Sequence, residues 1–294
     1  MIKQYKVGRL PYRVIFVEGG KNGDDLIPSS KPFETELTDE APVFELTVDD
    51  TFRPEATGEE IGQFDCGGNN HGVYQREDGG YEIRLTNHLG QQCCLLGTNA
   101  DFSKGSVALN GNYSMRSFGL NNTLMIMYAF SAAHLNTMLF HASVVREKGY
   151  GYLFLGVSGT GKSTHTGNWL KYIPGTDLMN DDNPVVRFID GQAIVFGSPW
   201  SGKTPCYRNV EAPIGAFVQL KQAPENKIRR QNVIEAFASL LPSCSVMKWD
   251  KRVYGGLCDG VTRLIENVPT YFLENLPNED AVRLSYDTIH VKQA

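Results

Sequence analysis

Short stretches in which apolar and polar residues alternate dominate the first 120 residues of the chain, among them Tyr12-Arg13-Val14-Ile15-Phe16-Val17, Val43-Phe44-Glu45-Leu46-Thr47-Val48 and Tyr81-Glu82-Ile83-Arg84-Leu85. A period of two is the pattern of strands with one buried face. Between them stand Gly19-Gly20, Gly67-Gly68-Asn69-Asn70 and Gly79-Gly80, residue types that accept turn conformations at little cost. Residues 1–120 therefore read as a β-rich, antiparallel N-terminal domain, to which the sequence attaches no role.

The period then changes. Leu124, Tyr128, Ala132 and Leu135 recur on one helical face with no Gly or Pro among them, which predicts a helix from about Asn121 to Met138 leading into a second domain, residues 121–294. From there strand-like runs (Leu139–Val145, Tyr152–Leu155) give way to a helix over Lys162–Lys171 and a further strand approaching from Asp177-Leu178-Met179. That order predicts an α/β domain. A hairpin is expected over Pro184–Phe196, because Asp190-Gly191 suits a two-residue type I′ turn, so the sheet is mixed. Ala216–Leu220 reads as another strand, and Asn232–Leu241 and Ala281–His290 as helices.

Composition changes this picture little. Hydrophobic residues at 41% and charged residues at 21% match an ordinary folded, soluble protein and not a disordered one. A net charge of -5, with no dense run of Lys and Arg, argues against nucleic acid as a partner. Neither a signal-peptide core nor an apolar stretch long enough to cross a bilayer is evident, so no membrane partner and a cytoplasmic location are expected. The six cysteines form no C-x-x-C pair, and Cys93-Cys94 would point to opposite faces of a strand, so no structural metal is expected.

The chemistry concentrates in one place. Gly156-Val157-Ser158-Gly159-Thr160-Gly161-Lys162-Ser163 fits the phosphate-binding pattern G-x-x-x-x-G-K-[ST], follows an apolar strand and opens a helix. Gly156, Gly159 and Gly161 let the backbone fold round phosphate oxygens, Ser158 and Thr160 keep bulk away, and the N–H groups through Thr164 face the anion with the helix N-terminus. Lys162 brings a full charge to the β/γ-phosphates, and the Ser163 hydroxyl suits Mg²⁺. The ligand expected is thus a nucleoside triphosphate with Mg²⁺. Some twenty residues on, Leu178-Met179-Asn180-Asp181-Asp182 ends an apolar run in two adjacent acids, one suited to hold the metal and the other to accept a proton. The loop Gly197-Ser198-Pro199-Trp200-Ser201-Gly202-Lys203-Thr204 follows a strand, with Lys203 a candidate phosphate contact and Arg208 a candidate for transition-state charge.

His141-Ala142-Ser143-Val144-Val145, the loop Gly156 to Thr164 and Asp181-Asp182 together resemble, in order and spacing, the catalytic domain of HPr serine kinase/phosphorylase. That family shares its nucleotide-binding core with phosphoenolpyruvate carboxykinase. The similarity spans roughly residues 139–220 and nothing before Asn121. It implies an α/β phosphate-loop kinase domain with a mixed sheet, preceded by the β-rich domain. It also implies an ATP- and Mg²⁺-dependent kinase moving the γ-phosphate to a hydroxyl of a protein, peptide or small molecule. By the resemblance His141 lies near the transferred phosphate while Asp181 and Asp182 share the tasks of base and metal ligand, with a slight lean to Asp181 as base and to Asp182, beside Ser163, as metal ligand. The chain departs from the family in having Thr164 where HPr kinases carry Glu, and in lacking their Glu-x-Arg-Gly-x-Gly stretch around Tyr207-Arg208-Asn209. The protein substrate is therefore not carried over, and an oligomer is left open. Two other readings stand beside the kinase: a binding protein that senses ATP without turnover, and a phosphoenolpyruvate carboxykinase-type enzyme.

Overall fold

Alternating burial along successive strands builds a nine-stranded sheet in the first part of the chain. The computed structural model describes residues 1–53, 58–65, 70–202 and 204–291, which fall into two units, Met1–Ala132 and Ala133–Ala294. Cys66, Gly67, Gly68, Asn69 and Lys203 lie outside the described residues.

The first unit contains β1 (Ile2–Val7), β2 (Leu10–Phe16), β3 (Glu34–Thr35), β4 (Glu45–Val48), β5 (Glu60–Asp65), β6 (Asn70–Gln75), β7 (Tyr81–Thr86), β8 (Gln92–Thr98) and β9 (Lys104–Leu109). They pair in the order β3-β1-β2-β4-β9-β8-β7-β6-β5. The expectation of an antiparallel sheet needs correction at its centre: β4 runs parallel to both β2 and β9. Parallel neighbours need long crossovers, and here these consist of the segment carrying β3 and the β5 to β8 meander.

Helix α1 (Tyr113–Ser131) covers this sheet, with Leu120, Leu124 and Tyr128 fully buried. It begins well before the expected Asn121, because the Asn112 side chain accepts the Met115 N–H and caps it. It ends before the expected Met138 and belongs to the first unit, so the boundary falls after Ala132 and not after residue 120. Gly119, within the helix, lets its backbone approach β8, where a Cβ would come 3.0 Å from Cys94 Cβ.

The second unit carries β10 (Thr137–Leu139), β11 (Ala142–Glu147), β12 (Tyr150–Leu155), α2 (Lys162–Tyr172), β13 (Asp177–Asp182), β14 (Val185–Ile189), β15 (Gln192–Phe196), β16 (Glu211–Gln222), β17 (Lys227–Arg230), α3 (Val233–Leu240), α4 (Lys251–Asn267), β18 (Thr270–Asn275) and α5 (Glu279–Ile289). The result is a mixed α/β architecture. Its main sheet runs β13-β11-β12-β16-β18-β17, parallel at the centre (β12, β16, β18) and antiparallel at both flanks. The first residues of β16 pair instead with β15, from which β14 and β10 continue. The β14–β15 hairpin turns on Asp190 (φ 49°) and Gly191 (φ 80°), the two positive φ values that a type I′ turn requires.

Helix α2 is fixed by its buried face. Trp169 is fully buried among Tyr152, Phe154 and Tyr286, with ring centroids 5.5–5.6 Å apart. Its indole N–H lies 3.0 Å from Ser285 Oγ and 3.2 Å from His165 Nε2, which locks α2 to α5. Burial of His165 lowers its pKa from 6.5 to about 4. Between those values the unfolded chain binds a proton that the folded chain refuses, so stability should fall as pH drops from 6.5 towards 4. The variant His165→Gln should flatten this dependence, and urea midpoints across that pH range check it; equal slopes for both proteins would rule the linkage out.

Candidate functional site

Strand β12 is buried along nearly its whole length and delivers the chain to Gly156 at the carboxyl end of the parallel strands. Gly156 has φ 152°, and a Cβ there would lie 2.4 Å from Thr160 Oγ1, so only glycine fits this first bend. Gly161, at φ 94°, is the N-cap of α2 and leaves the first helical N–H groups without intrahelical partners. The loop tip is held by the Thr160 hydroxyl, which donates to Val157 O at 2.8 Å, and by Gln222 Nε2, which reaches from the end of β16 to Gly159 O at 3.0 Å. Ser158, Ser163 and Thr164 are exposed. The motif residues thus form the strand, loop and helix start that their sequence implies.

Lys162 bends back over the loop and donates to Gly156 O at 2.8 Å. Burial lowers its pKa, against the opposing pull of the carboxylates of Asp182 and Asp181.

Ser163 Oγ donates to Asp181 Oδ1 at 2.9 Å, which brings the first turn of α2 to the end of β13. Asp181 is buried, at 4% exposure. The next residue faces elsewhere: Asp182 Oδ1 lies 3.1 Å from Nδ1 of His141, and both side chains reach solvent. His141 sits at a break between β10 and β11, where its own N–H donates to Ser243 O. Asp182 has φ 145°, a conformation rarely adopted by residues with a side chain, and such strain collects at functional sites.

A buried polar network holds the two acids. Asn180, fully buried, donates from Nδ2 to Ser198 Oγ and to Trp200 O, while its Oδ1 accepts the Asn183 N–H. Gly202 N–H donates to Asp181 O at 2.6 Å, and Asp182 forms a β-bridge with Ser201. The segment 197–202 is therefore a clasp on the acidic pair. Sequence reasoning named this loop but missed Asn180, whose only signal was a polar residue inside an apolar run.

Arg208 is placed elsewhere. It donates to Leu178 O and, at 2.8 Å, to Asp177 Oδ2, at the opposite end of β13 from the acidic pair. Burial opposes the ionisation of Asp177, yet the hydrogen bonds from Arg146 and Arg208 outweigh it and hold the pKa below the usual carboxylate range. The expected role of Arg208 at the transferred phosphate is not met in this arrangement, because Asp177 holds its guanidinium.

The donor set of Ser163, Asp181 and Asp182 is all oxygen, which fits Mg²⁺. Among the described residues no group of three or more His, Cys, Asp or Glu is placed to hold a metal ion. Of the described cysteines, Cys93, Cys94, Cys206 and Cys244 are buried free thiols and Cys258 is a partly exposed one. No helix is long and apolar enough to cross a membrane among the described residues.

No protein-family model matches the chain, and no curated protein matches it. Among solved structures, the Hpr(Ser) kinase/phosphatase from Coxiella burnetii aligns over 51% of this chain and 91% of its own length, with 13% identity and a TM-score of 0.30.

Replacing Asn180 with Ala should remove one of the donors to Ser198 Oγ and Trp200 O and leave the Asn183 N–H without its acceptor, at a cost of about 1–3 kcal/mol. Urea denaturation measures that loss, and amide exchange at Gly202 should quicken as the clasp loosens. Unchanged exchange at Gly202 would show that Asn180 does not hold the clasp.

Proposed function

We propose that the chain is an ATP- and Mg²⁺-dependent phosphotransferase that moves the γ-phosphate to a hydroxyl group of its substrate. The observation that carries this reading is the 2.9 Å hydrogen bond from Ser163 Oγ to Asp181 Oδ1, beside the half-buried Lys162. A loop that merely turned the chain would have no reason to bring a phosphate-motif serine and a buried carboxylate together. Bound Mg²⁺ would offset the charge of the phosphate oxygens and fix their direction.

The residues then divide the work. The loop N–H groups and Lys162 hold the β- and γ-phosphates. Asp181, through Ser163, orders the oxygen ligands of the cation site. Asp182, solvent-accessible and steadied by His141, is the base: it takes the proton of the acceptor hydroxyl as the new O–P bond forms and the bond to the β-phosphate bridging oxygen breaks, releasing ADP. These roles reverse the order favoured from the sequence resemblance, in which Asp181 was the base and Asp182 the metal ligand. The reversal rests on which acid touches Ser163.

Incubation with γ-labelled ATP, Mg²⁺ and panels of hydroxyl-bearing peptides and small molecules tests the reading. The wild-type protein should transfer label, and Lys162→Ala should lose binding and transfer while keeping its circular dichroism. Tight ATP binding without transfer to any acceptor would favour a nucleotide-sensing protein instead. Asp182→Asn should slow transfer by about a hundred- to ten-thousand-fold at unchanged Mg²⁺ demand, the usual cost of losing a positioned base. Asp181→Asn should instead raise the Mg²⁺ concentration for half-maximal rate; near-normal behaviour of both variants would sink the mechanism.

A further inference from the structure

Strand β17 ends the main sheet: it pairs with β18 on one side and, among the described residues, with no strand on the other. The ladder shows which groups this leaves open. The Gln231 N–H donates to Thr270 O at 2.8 Å, and hydrogen-bonded and non-bonded pairs alternate along an antiparallel ladder. The backbone groups of Arg229 and Lys227 therefore face β18, while the N–H and C=O of Ile228 and Arg230 point away from it. Such an edge is a template for an added strand.

The side chains of this edge say what kind of strand it accepts. Alternation puts Lys227 and Arg229 on one face and Arg230 on the other. Arg229 lies over the Phe272 ring and pairs with Glu235, and Glu274, which stands opposite Lys227, lies 3.4 Å from Lys221 instead. Lys227 and Arg230 are exposed and have no ion-pair partner among the described residues. In a chain of net charge -5 this is a local excess of positive charge. A second copy of β17 would set Lys and Arg against Lys and Arg, and like charges facing one another destabilise a strand pair. An acidic strand meets attraction at the same positions.

Past the edge the chain enters α3. The Asn232 side chain accepts the Glu235 N–H and the Glu235 carboxylate accepts the Asn232 N–H, a capping box that fixes the first turn. On that turn Val233 is 71% and Ile234 81% exposed. A single exposed aliphatic side chain is ordinary, but two together on a fixed turn extend the edge with an apolar step.

We infer that the open edge of β17 and the first turn of α3 form a docking surface for an acidic, extended segment of another protein. The segment adds as a strand beside β17, its carboxylates meet Lys227 and Arg230, and its apolar end rests on Val233 and Ile234. The surface is independent of the nucleotide reading above.

Fluorescence anisotropy with the full chain, without nucleotide, tests the inference on three labelled peptides. The first is acetyl-Leu-Leu-Glu-Val-Glu-Val-Glu-amide, the second has Lys for every Glu, and the third is the first N-methylated along its Glu and Val residues. The first should bind, and the other two should bind at least about tenfold more weakly, one for lack of charge complementarity and the other for lack of backbone donors. Lys227→Glu combined with Arg230→Glu should weaken the first peptide about tenfold or more and strengthen the second. Val233→Ser combined with Ile234→Ser should weaken the first several-fold. All four positions are exposed, so circular dichroism should be unchanged. Absence of binding by the first peptide, equal binding of its N-methylated form, or indifference to both double variants would overturn the docking surface. A dimer in sedimentation velocity that the Val233 and Ile234 variant dissolves would also overturn it, by assigning the surface to a second copy of the chain.

Discussion

Everything at the site depends on α2 crossing β11. Strands β12 and β13 are not neighbours, because β11 lies between them, so a serine in the first turn of α2, which follows β12, meets a carboxylate at the end of β13 only if the helix passes over the intervening strand. The hydrogen bond between Ser143 Oγ and Thr166 Oγ1, 2.9 Å and fully buried, ties α2 to β11 at that crossing. Trp169 and His165 fix the far face of the helix against Phe154 and α5. Few polar contacts are needed near the loop itself. Burial of the helix elsewhere determines where its first turn lies.

The acidic pair shows a second constraint. In a regular strand Asp181 and Asp182 would point to opposite faces, one inward and one away from the chemistry. Here the two do face apart, Asp181 to Ser163 and Asp182 to His141, and the Asn180, Ser198 and Trp200 network borders the unusual backbone at Asp182. Strain of this kind costs about 1–3 kcal/mol and persists only where neighbours over-determine it.

How much of this was legible in the sequence varied with the locality of the cause. The strand, glycine-rich turn and helix around Gly156–Ser163 and the Asp190-Gly191 hairpin are written in contiguous residues whose backbone demands are strong, and these elements form where the sequence puts them. Helix α4 was not read, because Gly255, Gly256 and Gly260 look like helix breakers. In the structure the last two serve packing: a Cβ on Gly256 would lie 2.9 Å from Ala133 O, and one on Gly260 would meet Met138 at 3.0 Å. The parallel pairing of β4, the capping of α1 by Asn112 and the capture of Arg208 by Asp177 follow from partners distant in the chain or from local caps masked by weak periodicity. Periodicity in single segments carries no information about those partners.

Strand β16 has twelve residues and changes its partner partway along. Its first residue, Glu211, is registered against Phe196, one step before the clasp begins; further on, Gln219 is registered against Leu155, one step before the glycine-rich loop begins. Both parts of the site therefore take their positions from a single strand, as two fittings located from one datum edge. A slip of one residue along β16 would not merely misplace either part. It would offset the springing points of both parts together and turn the inward face of the shared strand outward, so the spacing between clasp and loop is protected by the whole cost of unpairing the sheet.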